Sequence, residues 1–287
     1  MPSISSRPRR AVIALALSAA LPVAKAAGET AFDVRLIKTG LYLIGGGGAN
    51  TLMRFSAAGT ILVDAKLPGF YRALASQVRR ISRLSDHPVR VLLLTGSDAA
   101  RAGNAAQFLA AGVPVVAQRR AAARLLAADA KSPLVAFDDD YTLRLGGAEL
   151  RLLHFGRAYS DADAVVHFAD LKVVALGALF TPDAADAPVP DFAAGGSLVN
   201  WAPVLDQVLT LDFELVVGAD GGPRPRGDLE AFKTRIEMLV DLARSLVRQG
   251  AAPDQLQARL QAADSGWSLR FTPEQLAAFH AELANAR

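Results

Sequence analysis

The 287-residue chain contains no cysteine and only four histidines. Without cysteine there can be no disulfide, thiolate zinc site, iron–sulfur cluster or thiol nucleophile. Four histidines leave little material for an imidazole-rich metal centre. Long apolar runs are lacking too. The most apolar stretch, Ala11–Leu21, has eleven residues, short of the ~20 that cross a bilayer. Neither charge sign dominates: 31 Lys and Arg face 28 Asp and Glu. No basic stripe with interleaved aromatics is present, so a nucleic-acid partner is not expected. What the chain does have is a 52% hydrophobic fraction with 21% charged residues. That composition supports a sizeable core and excludes wholesale disorder.

The first 26 residues read as an export signal rather than as part of the fold. Arg7, Arg9 and Arg10 make a basic start, Ala11–Leu21 an apolar centre, and Ala24-Lys25-Ala26 a small-x-small cleavage site. An uncleaved amphipathic helix is the competing reading. Arg9-Arg10 also resembles a loose twin-arginine signal, and the route of export stays open. Cleavage after Ala26 removes Arg7, Arg9, Arg10 and Lys25 and no acidic residue, leaving 27 basic groups against 28 acidic ones. The pI of about 9.4 then belongs to the precursor. The expected product is one domain, residues 27–287, that is periplasmic or secreted and has no membrane span.

Along that domain, short runs rich in β-branched residues come first. Ala31–Lys38, Gly40–Ile44, Thr51–Phe55 and Thr60–Val63 read as an antiparallel meander. Phe70–Leu84 has helical spacing, Val89–Leu94 reads as a strand covered on both faces, and Asn104–Ala111 reads as a helix. Val113–Ala117 follows as a strand and Gln118–Ala128 as an Ala-rich helix. The second half repeats the order. Tyr141–Leu145, Ala148–Phe155, Ala164–Phe168 and Lys172–Leu176 are strands, Leu198–Leu209 a helix and Glu214–Val217 a strand. Leu229–Gln249, Pro253–Ala263 and Pro273–Ala286 are helices, the last with Thr272 as N-cap. Two strand-then-helix halves predict an α/β protein with two sheets packed face to face and helices outside.

Four segments, Ala49–Asp64, Val89–Asn104, His154–Phe168 and Val216–Gly221, together with Gly195-Gly196-Ser197, resemble signature regions of the metallo-β-lactamase fold. The resemblance spans residues 27–287 and is closest to exported zinc-hydrolase-like members. It implies a four-layer αββα sandwich with the site along one edge of the two sheets. It also implies one or two zinc ions holding a hydroxide, since metal binding lowers the pKa of water toward ~7.

The ligand positions depart from that family. Members carry Thr-His-x-His-x-Asp-His followed by Gly-Gly-Asn, whereas this chain reads Thr95-Gly96-Ser97-Asp98-Ala99-Ala100-Arg101-Ala102-Gly103-Asn104. Anchored on Thr95, the ligand positions hold Gly96, Asp98, Ala100 and Arg101. Anchored on Asn104, they hold Thr95, Ser97, Ala99 and Ala100. The later ligands correspond to Tyr159 in Gly156–Asp163, to Gly177-Ala178 in place of a Gly-Asp pair, and to Asp220 in Gly218–Gly221. The resemblance implies zinc as cofactor; the residues present predict none.

The remaining polar groups are few. Asp64, Asp98, Tyr159 and Asp220 are expected to converge at the old site mouth. There they would bind a hard cation through oxygen, orient a polar ligand, or stand as solvated loop residues. His154 is expected to be a partly buried, hydrogen-bonded strand residue, and none of the four histidines forms a metal-binding pair. Gly45–Gly48 lacks the Gly-Lys-Ser/Thr ending and following helix of a phosphate cradle; it reads as a hairpin loop, or a flap over the site. Ser97 and Ser197 sit in no nucleophile elbow. The leading expectation is a pseudoenzyme that binds a small molecule or a protein partner. The alternative is a working hydrolase of an ester, lactone or amide with an oxygen-rich metal site at Asp98, Tyr159 and Asp220.

Overall fold

The computed structural model of the chain describes residues 32–82, 88–125, 133–262 and 267–285. The expected export segment and His87 lie outside these residues. Alternation along each strand sorts the apolar side chains into three layers of core. In β2 (Leu41–Gly45), Leu41 and Leu43 face one side while Tyr42 and Ile44 face the other. β1 (Asp33–Lys38), β3 (Thr51–Ser56), β4 (Gly59–Val63), β5 (Val89–Leu93), β6 (Val115–Gln118) and β7 (Leu134–Phe137) join it in a seven-stranded sheet in sequential order. Pairing is antiparallel from β1 to β4 and parallel from β4 to β7. β4, β6 and the Val91–Leu93 part of β5 between them are buried on both faces, which explains the unbroken apolar run at Val91–Leu94.

A second sheet runs β13 (Arg224–Pro225), β12 (Leu215–Gly218), β11 (Val173–Gly177), β10 (Val165–Phe168), β9 (Ala148–Leu153) and β8 (Asp140–Leu145). Only its β11–β12 pair is parallel. The two sheets close on each other over Leu43, Leu52, Val63, Leu93, Leu152, Val166, Phe168 and Val217. Against the outer face of the first sheet pack α1 (Tyr71–Ser82), α2 (Ala99–Ala102), α3 (Ala105–Ala110) and α4 (Arg119–Arg124). The second carries α5 (Trp201–Leu209), α6 (Arg226–Arg248), α7 (Pro253–Ala262) and α8 (Pro273–Asn285). The architecture is the α/β four-layer αββα sandwich expected from the sequence. Burial of apolar area on both faces of both sheets, worth roughly 25 cal/mol per Å², fixes their registers, because a one-residue slip would exchange the two faces.

Several boundaries differ from the sequence reading. β7 and the two-residue β13 have no counterpart among the strands read from the sequence. The helix expected from Leu198 begins at Trp201, and the one expected from Leu229 begins at Arg226. At α8 the cap is reciprocal: Gln275 N donates to Thr272 Oγ1 at 3.3 Å and Thr272 N to Gln275 Oε1 at 2.8 Å, a capping box. No helix among the described residues is long and apolar enough to cross a membrane.

Candidate functional site

The edge where the two sheets open is built by the segments that follow β4, β5, β10's preceding loop and β12. After β5 the chain turns through Thr95-Gly96-Ser97. Asp98 then caps the single turn of α2, accepting from Ala100 N at 3.0 Å. That turn sends Arg101 back over the loop, where it is 1% exposed. Its Nε donates to Asp98 Oδ2, and its Nη1 donates to Thr95 O at 3.0 Å. Nη2 lies 3.8 Å from Asp163 Oδ1, within ion-pair reach but beyond hydrogen-bond distance. The guanidinium also sits 5.1 Å from the centre of the Tyr159 ring, a cation–π contact.

The Arg101 side chain needs empty space around it. A Cβ at Gly96 would collide with the guanidinium, and one at Gly177 would collide with Thr95 Oγ1 and come within 3.0 Å of Arg101 Nη1. Both glycines stand at positions where the resemblance places or flanks metal ligands.

Burial alone would lower the pKa of Arg101. Asp98, Asp163 and Asp64, in that order, more than offset this and hold it above the usual arginine value. The anions feel burial more strongly. Asp163 is 1% exposed and accepts from Ser160 N and Ser160 Oγ, each at 2.8 Å. Its pKa is nevertheless raised by burial. Asp64, 3% exposed, accepts from Thr95 N at 2.8 Å and Thr95 Oγ1 at 2.6 Å. Burial pushes its carboxyl up to about 6, against the opposing pull of Arg101.

A second buried cation lies on the next loop. Lys66, 0% exposed, donates to Ile44 O and, at 2.8 Å, to Ala49 O, so it clasps both ends of the Gly45–Gly48 turn. Burial lowers its pKa from 10.5 to about 7, with Asp64 acting in the opposite direction. Asp64 and Lys66 both adopt left-handed backbone, with φ of 63° and 66°, a strained conformation for a lysine that persists only where the surroundings impose it. Here Asn104 imposes it by donating to Ala65 O at 2.6 Å and Leu67 O at 2.7 Å. The glycine-rich turn is packed: a Cβ at Gly47 would collide with Phe70 and crowd Phe32, Gly47 O accepts from Leu67 N, and Ala49 N donates to Ala100 O.

Of the four residues singled out from sequence, the structure gathers three. Asp64, Asp98 and Tyr159 surround Arg101. Burial, then Asp98, raises the Tyr159 pKa. Asp220 stands apart as an exposed loop residue; partial desolvation and then Asp183 raise its carboxyl. Nor is Asp64 a solvated loop carboxylate, since it is buried. Sequence reasoning set Arg101 at a ligand position without giving it a role, and missed Asp163 and Lys66 as members of the site. The available signal was the spacing of Asp98 and Arg101, three residues apart and so able to meet on one helical turn.

The other sequence candidates resolve into structural roles. His154 Nδ1 donates to Asp163 O at 2.7 Å, His167 Nε2 to Asp212 O at 3.0 Å and His280 Nε2 to Ala251 O at 3.0 Å. Ser197 is buried and its Oγ accepts from Asn200 N at 3.1 Å, ahead of α5. Ser97 Oγ lies 3.5 Å from Arg124 Nη1.

Zinc does not fit this arrangement. Among the described residues no group of three or more His, Cys, Asp or Glu side chains is placed to hold a metal ion. The carboxylate nearest the expected position, Asp98, is already bound to a cation of the chain itself. Space for a larger molecule lies beside the cluster. Tyr159, Val189, Pro190, Asp191, Phe192 and Glu274 line a cavity of about 340 Å³. A groove of about 640 Å³ runs past His154, Phe155, Arg157, Asn200 and Gln207.

No protein-family model matches the sequence, and no curated protein matches it. Solved structures do. The chain is similar to a metallo-β-lactamase from Pontibacter korlensis, with TM-score 0.63, 18% identity, and coverage of 72% of this chain and 99% of that one. Similarity to the metallo-β-lactamase IND-7 gives TM-score 0.62 and 19% identity over 72% of this chain and 99% of that one. The stereoselective inverting sec-alkylsulfatase Pisa1 from Pseudomonas sp. gives TM-score 0.67 and 17% identity over 89% of this chain, which spans 51% of that protein. The fold is that of the metallo-β-lactamases, without a group placed to hold their metal among the described residues.

Proposed function

We propose that this protein is an exported metallo-β-lactamase-fold pseudoenzyme that acts by binding a small molecule or a protein partner. The observation that carries the reading is the placement of the Arg101 guanidinium among Asp98, Asp163 and Asp64 at the sheet edge. A hydrolase of this fold needs a metal to generate hydroxide at neutral pH. Here the carboxylates that would hold a cation are neutralised from within, and the flanking positions are Gly96 and Gly177. The 340 Å³ cavity walled by Tyr159 is in the size range of small-molecule pockets. It offers apolar walls at Val189, Pro190 and Phe192 with polar groups at Tyr159, Asp191 and Glu274. Export rests on the Arg7–Ala26 pattern. β-Lactam hydrolysis does not follow from the fold, because chemistry resides in the site.

Metal analysis of protein purified from an exporting host tests the reading. Sub-stoichiometric zinc and no turnover of a lactam, lactone, ester and alkyl-sulfate panel are expected. Stoichiometric zinc together with metal-dependent hydrolysis of any panel member overturns it. The N-terminal sequence of the periplasmic fraction tests export separately, with Ala27 expected as the first residue.

A further inference from the structure

We infer that Arg101 is a built-in cation: its guanidinium supplies, as part of the chain, the positive charge that the carboxylates of this sheet edge require. Three acidic residues from three different segments converge here: Asp64 after β4, Asp98 before α2 and Asp163 before β10. Like charges brought together in a region shielded from water repel strongly unless a cation lies between them. The guanidinium lies between them, bound to Asp98 through Nε, facing Asp163 at 3.8 Å and stacked 5.1 Å from the Tyr159 ring. Its planar fork suits several acceptors at once, as a lysine ammonium would not. The cradle is shaped to the fork: any side chain at Gly96 would collide with it, and Gly177 leaves room for Nη1. Thr95 completes the link, its carbonyl accepting from Arg101 Nη1 and its hydroxyl donating to Asp64 Oδ2.

The guanidinium thus organises the site mouth and bars a metal from it. Tyr159, which walls the 340 Å³ cavity, is positioned in part by this cation, so Arg101 is a positioning residue for whatever that cavity takes. This inference rests on the pseudoenzyme reading only in taking the site to be free of zinc.

The test compares wild-type protein with Arg101→Met, which keeps an unbranched chain of similar length but removes the charge. Arg101→Met is expected to melt well below wild type, and Arg101→Lys to fall between them. A triple variant, Arg101→Met with Asp98→Asn and Asp163→Asn, is expected to recover much of the lost melting temperature, because the two carboxylates nearest the missing guanidinium are then neutral and only Asp64 is left without its cation. Low, sub-denaturing guanidinium chloride is expected to raise the melting temperature of an Arg101→Ala variant relative to sodium chloride at the same ionic strength. It is not expected to raise that of wild type. An Arg101→Met variant as stable as wild type overturns the inference, as does a triple variant no more stable than Arg101→Met. If Arg101→Met does not fold, folding of the triple variant alone supports it and failure of both overturns it. Zinc uptake with hydrolysis by wild type would sink the pseudoenzyme reading. A zinc-free wild type beside an indifferent Arg101→Met sinks only the built-in cation.

Discussion

Arg101 and Lys66 are buried to the same degree at the same sheet edge, 1% and 0% exposed, and their electrostatics run in opposite directions. Around Arg101 stand three carboxylates and an aromatic face, and its pKa rises despite burial. Around Lys66 stand two backbone carbonyls, the Phe32 ring at 5.4 Å and one more distant carboxylate, and its pKa falls to about 7. Burial penalises both charges; what differs is the number of anions brought to meet each one. A cation can therefore live inside this fold as an electrostatic centre or as a neutralisable clasp, depending on its partners.

The largest effect is expected where the comparison is broken at Arg101. Arg101→Met strands buried carboxylates, a situation that typically costs about 3–5 kcal/mol; chemical denaturation should show it. Lys66→Met strands only two carbonyls, for roughly 1–2 kcal/mol at neutral pH. Equal losses in the two variants would erase the distinction drawn between the two regions.

Gly177→Ala probes the crowding that only the Arg101 region has. The backbone there has φ of +50°, and the new Cβ would collide with Thr95 Oγ1. A loss of about 1–3 kcal/mol is expected, with a fall in any ligand affinity that depends on Tyr159. An unchanged melting curve would show that the cradle has slack.

The Lys66 region, in turn, should be the one that reads pH. Lys66 has a folded pKa near 7 against 10.5 when free, so the unfolded chain binds the extra proton between those values and stability rises with pH across that window. Asp64 is raised from 3.8 to about 6, so the folded chain holds the extra proton between those values and stability falls as pH rises through them. Together they place a minimum between about pH 6 and 7. Denaturant titrations across pH should show Lys66→Met losing the upper limb and Asp64→Asn losing the lower one; a flat wild-type profile would contradict both assignments. Least affected should be Asp220→Asn, an exposed change outside both regions, within ~0.5 kcal/mol of wild type by the same titration.

Legibility in the sequence followed the range of the forces involved. The short apolar run at Gly40–Ile44 between turn residues and the continuous one at Val89–Leu94 announced strands, because such runs must be buried. Thr272 announced the start of α8, since an N-cap acts within a single turn. β13 escaped notice because two residues carry no period; β7 went unread although it is as long as β6, β10 and β12. At the site, Asp64, Asp98 and Tyr159 could be marked by their positions in motif-like segments. Asp220 could be marked too, yet it remains outside the cluster, because loop closure by Asn50, which donates to Gly218 O and Gly221 O, leaves its side chain on the surface.

Composition and order alone determined that this chain would make two face-to-face sheets with helices outside, and that imidazole and thiolate ligands would be scarce. Those properties depend on periodicity and on residue counts. Which cation would be paired, which carboxylate would be pushed toward neutrality and whether a metal would find room depended on tertiary structure. Residue 64, the 98–101 turn, residue 163 and residue 177 are distant in sequence, and only the closed sheet edge brings them together. Electrostatic energy varies with that separation and with the exclusion of water, neither of which exists before the chain folds.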